Sequence, residues 1–398
     1  MREGWTETTL GDISDFISLR VAPAKIDSAT PYVGLEHLVP RSSQISDWDT
    51  VEMVSSSVTP FEPGDTLFGR LRPYLHKVAL ADFPGTCSPE LLVLRSNENS
   101  DAGYLYLLCS LDSTIGQCVA MSAGTRMPRT SASDLASIEV QLPPITEQRR
   151  IVDLMSSVDS YIAALQQQAD AARSARSAVL GELLSGDCTE GFETSIGHVA
   201  QVLGGKRLPK QTPWADRPTR HPYIRATDIR DGRVDTDSVV YVPDEIWPTI
   251  SRFIVESGDV LITIAGTIGS IAQVPESLVG ANLTENAAMI RPHNDAIRPE
   301  FLKLWLMGSD AKMQIQSLTI GTTQKKLGLA RIESIRIILP PLAEQRRIVG
   351  VISSIDLAIQ STERAVADAK NLRSGLLSDL LSGAYEIPES YDRLLGAA

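Results

Sequence analysis

One segment occurs twice in this chain, in the same register, and it constrains the fold more than any other feature. The first copy runs Leu142-Pro143-Pro144-Ile145-Thr146-Glu147-Gln148-Arg149-Arg150-Ile151-Val152 and closes at Leu183-Leu184-Ser185-Gly186. The second runs Leu339-Pro340-Pro341-Leu342-Ala343-Glu344-Gln345-Arg346-Arg347-Ile348-Val349 and closes at Leu380-Leu381-Ser382-Gly383. The offset is 197 residues at both ends (340 − 143 and 383 − 186), so nothing was inserted or lost in between. A register held over that length preserves a geometry.

Within each copy the apolar residues step by four and three. In the first they are Ile151, Met155, Val158, Ile162, Leu165, Ala169, Ala172, Val179 and Leu183, broken at Arg176. In the second they are Ile348, Ile352, Ile355, Ile359, Val366, Ala369, Leu376 and Leu380, broken at Thr362 and Arg373. That alternation is a coiled-coil seam, narrower than the stripe of an ordinary surface helix. The Pro-Pro pair ends a strand and can supply the first helical residue. Glu147 or Glu344 suits the positive end of the helix dipole, and Gly186 or Gly383 suits a left-handed cap. About 38 residues at about 1.5 Å each make a rod of roughly 57 Å. The two rods are expected to pack antiparallel with pseudo-twofold symmetry, and Arg176 and Arg373 to snorkel at the ends of the contact.

A chain of 398 residues is too long for one core. The segments around the rods repeat as well, with little identity. Ile196-Gly197 matches Leu10-Gly11, and Pro222-Tyr223-Ile224-Arg225 matches Pro31-Tyr32-Val33-Gly34. Gly258-Asp259-Val260-Leu261 matches Gly64-Asp65-Thr66-Leu67, and Phe301-Leu302-Lys303-Leu304 matches Tyr104-Leu105-Tyr106-Leu107. Short strands entered through Gly-Asp turns, with a helical stretch over 102–111, predict a mixed α+β fold. The order is therefore a globular domain (1–142), a helical region (143–188), a second globular domain (189–339) and a second helical region (340–384). The tail (385–398) keeps Tyr385, Ile387, Tyr391 and Leu394 and is expected to close onto the N-terminus around Trp5 and Leu10. Divergent domains on rods that stay alike suggest one kind of partner for the rods and two different targets for the domains.

Net charge is −12, with ten Lys+Arg against eighteen Asp+Glu in 1–142 and seventeen against seventeen in 189–339. DNA contact would then depend on local patches, with much of the phosphate attraction supplied by a partner, and the isolated chain is expected to bind DNA poorly. The N-terminus has no apolar signal-peptide core, and the uncharged stretch 260–274 is too broken for a membrane span, which favours a cytoplasmic protein. The cysteines lack C-x-x-C spacing and the histidines lack metal-ligand spacing, so no metal is expected. No P-loop, G-x-G-x-x-G or G-x-S-x-G motif occurs. The Pro-Pro pairs follow leucine, unlike the Asn/Asp-Pro-Pro-aromatic strip of an adenine methyltransferase, and no catalytic residues are assigned.

The suggestive residues are basic and polar loops. Gly321-Thr322-Thr323-Gln324-Lys325-Lys326 matches Gly124-Thr125-Arg126-Met127-Pro128-Arg129 in place. Threonine and lysine suit phosphates, and glutamine or arginine suits base edges. A solvated loop is the plain alternative. Arg70, Arg72, Tyr74 and Lys77 form a second cluster, to which Arg225 and Thr267 (in Gly266-Thr267-Ile268-Gly269) are added as candidate DNA contacts. Glu147, Gln148, Arg149 and Arg150, with Glu344, Gln345, Arg346 and Arg347, are candidate partner contacts on the rods.

The repeated L-P-P-x-x-E-Q-R-R-I-V with its L-L-S-G close, together with Gly64-Asp65-Thr66-Leu67-Phe68-Gly69-Arg70-Leu71-Arg72-Pro73-Tyr74-Leu75, resembles the DNA-specificity subunit of type I restriction-modification systems over essentially the whole chain. The resemblance implies two target-recognition domains, each reading one half of a bipartite asymmetric DNA site. It implies rods that act as spacer and dock two modification subunits, with restriction subunits joining them. It also implies a non-catalytic chain that binds no cofactor itself. S-adenosylmethionine would belong to the modification subunits, and ATP and Mg to the restriction subunits. The acidic balance departs from a strong DNA binder, so a coiled-coil adaptor joining two protein-binding domains is the second reading. A self-contained methyltransferase is third.

Overall fold

The computed structural model describes residues 2, 4–122, 127–185, 191–293, 295–321 and 325–392. The chain divides into two compact units, one of Met1–Gln166 with Arg364–Ala398 and the other of Gln167–Glu363. The two long helices, Ile145–Leu184 and Leu342–Leu381, contribute to both. Among the described residues no helix is long and apolar enough to cross a membrane.

In the first unit a four-stranded sheet has the order Ser14–Ile17, Leu91–Ser96, Thr66–Gly69, Val78–Leu80. A second has the order Asp49–Thr50, Pro31–Val33, Gly85–Cys87, Thr59–Phe61. Thr6–Thr9 pairs antiparallel with Glu139–Leu142 and so returns the chain to the start of the long helix. Helix Ala102–Ser110, capped by the Asp101 carboxylate, lies in the core with Leu10, Phe68, Leu94 and the seam residues Ile151 and Met155. The second unit repeats the plan. Ala200–Gly204, Ala287–Pro292, Val260–Thr263, Ile271–Gln273, Gly232–Val234 and Ile229–Arg230 form its main sheet. Phe192–Ser195 pairs with Arg336–Leu339, and helix Pro299–Met307 is the counterpart of Ala102–Ser110.

The repeated Gly-Asp turns explain themselves. Gly64 and Gly258 stand at φ 92 and 83, where a side chain is strained. The next residue, Asp65 or Asp259, is buried and takes a two-pronged hydrogen bond from Arg95 or Arg291 on the neighbouring strand. Its carboxylate also accepts the N–H of Glu62 or Glu256, which closes the turn. The motif retained between the domains is thus a structural lock.

Both long helices begin one residue after the second proline, and the carbonyl of Pro144 or Pro341 accepts the N–H groups of the first turn. Gly383 adopts the expected left-handed cap at φ 73; Gly186 lies outside the described residues. The helices run antiparallel in each unit. In the first unit Asp159 meets Arg373, and further back along the helix Asp153 meets Tyr391 and Arg150 meets Asp392. In the second unit Arg173 meets Glu363 and Arg176 meets Asp356. Ile151, Met155, Ile162 and Ala169, with Ile348, Ile352, Ile359 and Leu380, are buried at the predicted seam positions.

Arg176 and Arg373 correct the expectation of snorkelling ends. Each lies within the seam with under a fifth of its side chain exposed. Each grips an aspartate on the opposite helix, Asp356 or Asp159, and the 197-residue offset exchanges the two pairs. A charge in the seam is tolerated because its fork is matched by a carboxylate. The last described residues pack on the first unit. Ile387 is buried with Leu10, Gly383 faces the Trp5 ring, and Arg2 pairs with Glu386 at 2.9 Å. Tyr385 is exposed, and Leu394 lies outside the described residues.

Candidate nucleic-acid interface

In each unit the chain ties two loops together at the same relative place. In the first, Leu71 forms a bridge with Arg129, Arg72 N–H donates to Pro128 C=O at 2.8 Å, and Thr130 N–H donates to Arg70 C=O at 3.0 Å. In the second, Ala265 bridges Lys326, Lys326 bridges Ile320, and Leu327 N–H donates to Ile264 C=O at 3.1 Å. Leu71 therefore corresponds to Ala265, and Arg72 to Gly266. Both are in left-handed conformation, Arg72 at φ 52 and Gly266 at φ 75. The first domain places a long cationic side chain where the second uses the residue that needs no strain. The short turn Pro73–Leu75 follows, closed by His76 at φ 53.

Several predicted contacts are brought together at these edges. Arg70 and Arg72 are half-buried, and each has an Nε without a hydrogen-bond partner among the described residues. Tyr74 beside them is half exposed. Arg129 is exposed but forms a fork on Glu90 (2.8 and 3.1 Å), which holds that carboxyl below its ordinary range and partly neutralises the arginine. Burial pushes the nearby His76 imidazole down, with the Arg41 charge adding to it; its Nε2 stands 3.0 Å from the Asp112 carboxylate. In the second unit Thr267, Lys325 and Lys326 are exposed. Thr263 Oγ1 bonds the Thr267 carbonyl, so the Gly-Thr-Ile-Gly turn is fixed from below. Thr125, Arg126, Thr322, Thr323 and Gln324 lie outside the described residues.

Two candidates are corrected. Arg225 grips buried Asp228 through Nε and Nη2 and donates to Ser238 C=O at 2.6 Å, so its fork is spent inside the domain. Lys77 turns inward, its Nζ donating to Leu35 C=O at 2.7 Å. Neither role was legible from residue type, because it depends on where the chain turns Asp228 back onto Arg225 and on the distant carbonyls of Ser238 and Leu35.

The docking motif splits the same way. Gln148 and Gln345 are buried and act as clips. Gln148 Oε1 accepts Asp101 N–H at 2.8 Å while Nε2 donates to Asn99 and Pro143 carbonyls. Gln345 does the same with Arg298, Ala296 and Pro340. They staple the helix start to its domain. Glu147 is also buried, accepting Trp5 Nε1–H at 3.0 Å and pairing with Arg2, and Arg150 pairs with Asp392. Glu344 pairs with Arg347. Arg149, Arg346 and Arg347 remain on the outer surface of the helices.

One group of possible metal ligands occurs among the described residues, Glu36, His37 and Asp49, with ligand atoms within 4.8 Å of one another. His37 Nδ1 accepts Gly34 N–H, so the neutral ring carries its proton on Nε2 and presents a donor to Asp49. That ring offers a cation no lone pair.

One basic feature matches no motif. Residues 206–220 carry Lys206, Arg207, Lys210, Arg217 and Arg220 against Asp216 alone, and the five cations are exposed. The signal lay in local charge density, hidden by a domain whose total is balanced.

The family described as the type I restriction modification DNA specificity domain matches residues 2–172 and 190–368, and this chain belongs to it. It carries two copies of that DNA specificity domain, one in each half of the chain. Among its relatives is the EcoBI type I restriction enzyme specificity subunit of Escherichia coli, 26% identical over 293 residues. That match covers 67% of this chain and 61% of the relative, so it spans about three fifths of the longer protein. The MjaVIII specificity subunit of Methanocaldococcus jannaschii is 21% identical over 74% of this chain and 73% of its own. Two solved structures share the fold. One is a chain from a structure describing complex assembly and conformational transition of the type I R-M system, with TM-score 0.67, 21% identity, and 96% and 98% of the chains covered. The other is the type I restriction-modification S subunit from M. genitalium, with TM-score 0.54, 17% identity, and 96% and 97% covered.

Proposed function

We propose that each domain reads one half of a bipartite, asymmetric DNA site through its paired loops. The helices serve as spacer and as docking site for two modification subunits, and restriction subunits join that assembly in the cytoplasm. The chain supplies sequence choice and no catalysis. S-adenosylmethionine would be held by the modification subunits, and ATP with Mg by the restriction subunits. The single observation that carries this reading is the repeated loop junction: Arg70, Leu71 and Arg72 against Pro128, Arg129 and Thr130 in one copy, Ile264 and Ala265 against Lys326 and Leu327 in the other. The same backbone frame carries unlike side chains, as two readers of different sequences require.

The test is duplex selection from a random pool by the chain assembled with its modification partner. Replacing Gln324, Lys325 and Lys326 together with alanine should relax one half of the selected site and leave the other intact. Each base no longer read should weaken binding to the selected duplex by about 1–3 kcal/mol. Equal loss at both halves, or no selected sequence in the wild type, would refute the reading.

A further inference from the structure

We propose that residues 206–220 form an arm that grips the phosphates of the duplex beside the second recognition edge. The proposal rests on the reading above and assigns contacts that none of the paired loops supplies.

A run of cations is usually a solvated, mobile face. This one is held. Leu208 is buried with Tyr223, Val242 and Ile250. The Trp214 ring packs on Tyr223 with centroids 5.0 Å apart, and Tyr223 Oη–H donates to Lys206 C=O at 3.0 Å. Ala215 N–H donates to Tyr241 C=O at 2.9 Å, and Thr219 Oγ1–H to Val242 C=O at 2.8 Å. Between these anchors Thr212 N–H donates back to Pro209 C=O, with Gln211 at φ 66, so a closed turn carries Lys210 at its tip. Arg207, Arg217 and Arg220 project between the anchors, and ordering them on DNA would lose less entropy than ordering a free loop.

The base of the arm joins the recognition edge through backbone contacts. Lys206 N–H donates to Leu283 C=O and Gly205 N–H to Ala287 C=O. Gly205 lies so close to the turn between them that a Cβ there would stand 2.1 Å from Thr284 O. From the same turn the Asn286 carbonyl accepts the N–H groups of Ile264 and Ala265, and Ala265 bridges Lys326. Acidic groups near the arm are few: Asp216 within it, Glu285 3.7 Å from Arg207, and Asp244 beside His221. The matching stretch of the first domain, 18–30, has only Arg20 and Lys25 against Asp27. In a chain of net charge −12, an array of this sign next to a base-reading edge suits a polyanion's backbone.

The test uses the full chain assembled with its modification partner and two duplexes. One carries the site the wild-type complex selects from a random pool; the other is a scrambled duplex of the same composition. Changing Arg207, Lys210, Arg217 and Arg220 to glutamine leaves every anchor in place, and Lys206 is kept because its ammonium stands over Phe253. The plot of log affinity against log salt should flatten by about 0.9 for each phosphate the arm no longer neutralises. Both duplexes should weaken by the same factor, with the selected sequence unchanged. Lys210→Glu alone, at the tip of the turn, should weaken both duplexes in the same proportion. An unchanged salt slope overturns the arm. So does a loss confined to the selected duplex, which would make these residues base readers. Failure to assemble with the partner also overturns it, marking a protein-docking surface instead. A wild-type complex that selects no sequence overturns the reading beneath the proposal, an outcome separate from these three.

Discussion

Replacing Arg72 with glycine should remove sequence preference at one half-site while leaving the protein at least as stable as before. A side chain in left-handed backbone costs on the order of 1–2 kcal/mol, and glycine is free of that cost. Glycine also makes the unfolded chain looser by about 0.5–1 kcal/mol, so the net change is roughly a 0.5 kcal/mol gain. The second domain shows that the junction needs no side chain here, since Gly266 fills the same place. Arg72 has no ion-pair partner among the described residues, and its Nε is orphaned. Its removal breaks no side-chain hydrogen bond or ion pair among the described residues. A guanidinium that grips a base is worth about 1–3 kcal/mol of discrimination, or roughly 5- to 150-fold in preference. Arg72→Lys keeps the charge and loses the fork, and should retain general affinity without the preference. Thermal unfolding together with duplex selection checks both signs. Lower stability with unchanged selection would make Arg72 a structural residue.

The second large effect concerns the clips. Gln148→Leu and Gln345→Leu should each destabilise the protein by about 3 kcal/mol. Each change strands one backbone N–H and two carbonyls that the amide now satisfies, and an unsatisfied buried group costs about 1 kcal/mol or more. In a unit of this size that corresponds to a fall of roughly 6–12 °C in Tm. Glutamate should be no better than leucine, because its oxygens cannot donate to the two carbonyls. Arg149→Ala and Arg346→Ala, each the next residue along and on the outer surface, should stay within about 0.5 kcal/mol of wild type and act on partner docking instead. Urea unfolding of the four variants separates the two roles within one motif. A loss under about 1 kcal/mol in both leucine variants would show that the amides are dispensable.

The helices were legible because their period is local. Steps of four and three mark a face that must be covered, and Ile151, Met155, Ile348 and Ile352 on it are buried, packed into the cores of the globular domains. The duplicated order of strands was legible from paired motifs such as Gly64-Asp65 and Gly258-Asp259. Side-chain roles were harder because they depend on what stands across from each residue. Glu-Gln-Arg-Arg looks like a uniform polar surface in sequence, yet one helical turn points Gln148 into the domain and leaves Arg149 outside. Arg225 and Arg72 are alike in composition and opposite in circumstance: one faces the buried Asp228, the other has an Nε without a hydrogen-bond partner among the described residues. The seam arginines were misplaced for the same reason, since Asp159 and Asp356 occupy flanking positions that no apolar pattern marks.

The most direct test of two domains reading two half-sites is a genome-wide map of modified bases in cells with the wild-type chain, without it, and with Arg72→Gly. Modification that depends on the chain should fall at two short defined blocks separated by an unread gap of constant length. The variant should blur one block and leave the other block and the gap as they were. A single uninterrupted block, or a variant that alters both blocks together, would contradict the account.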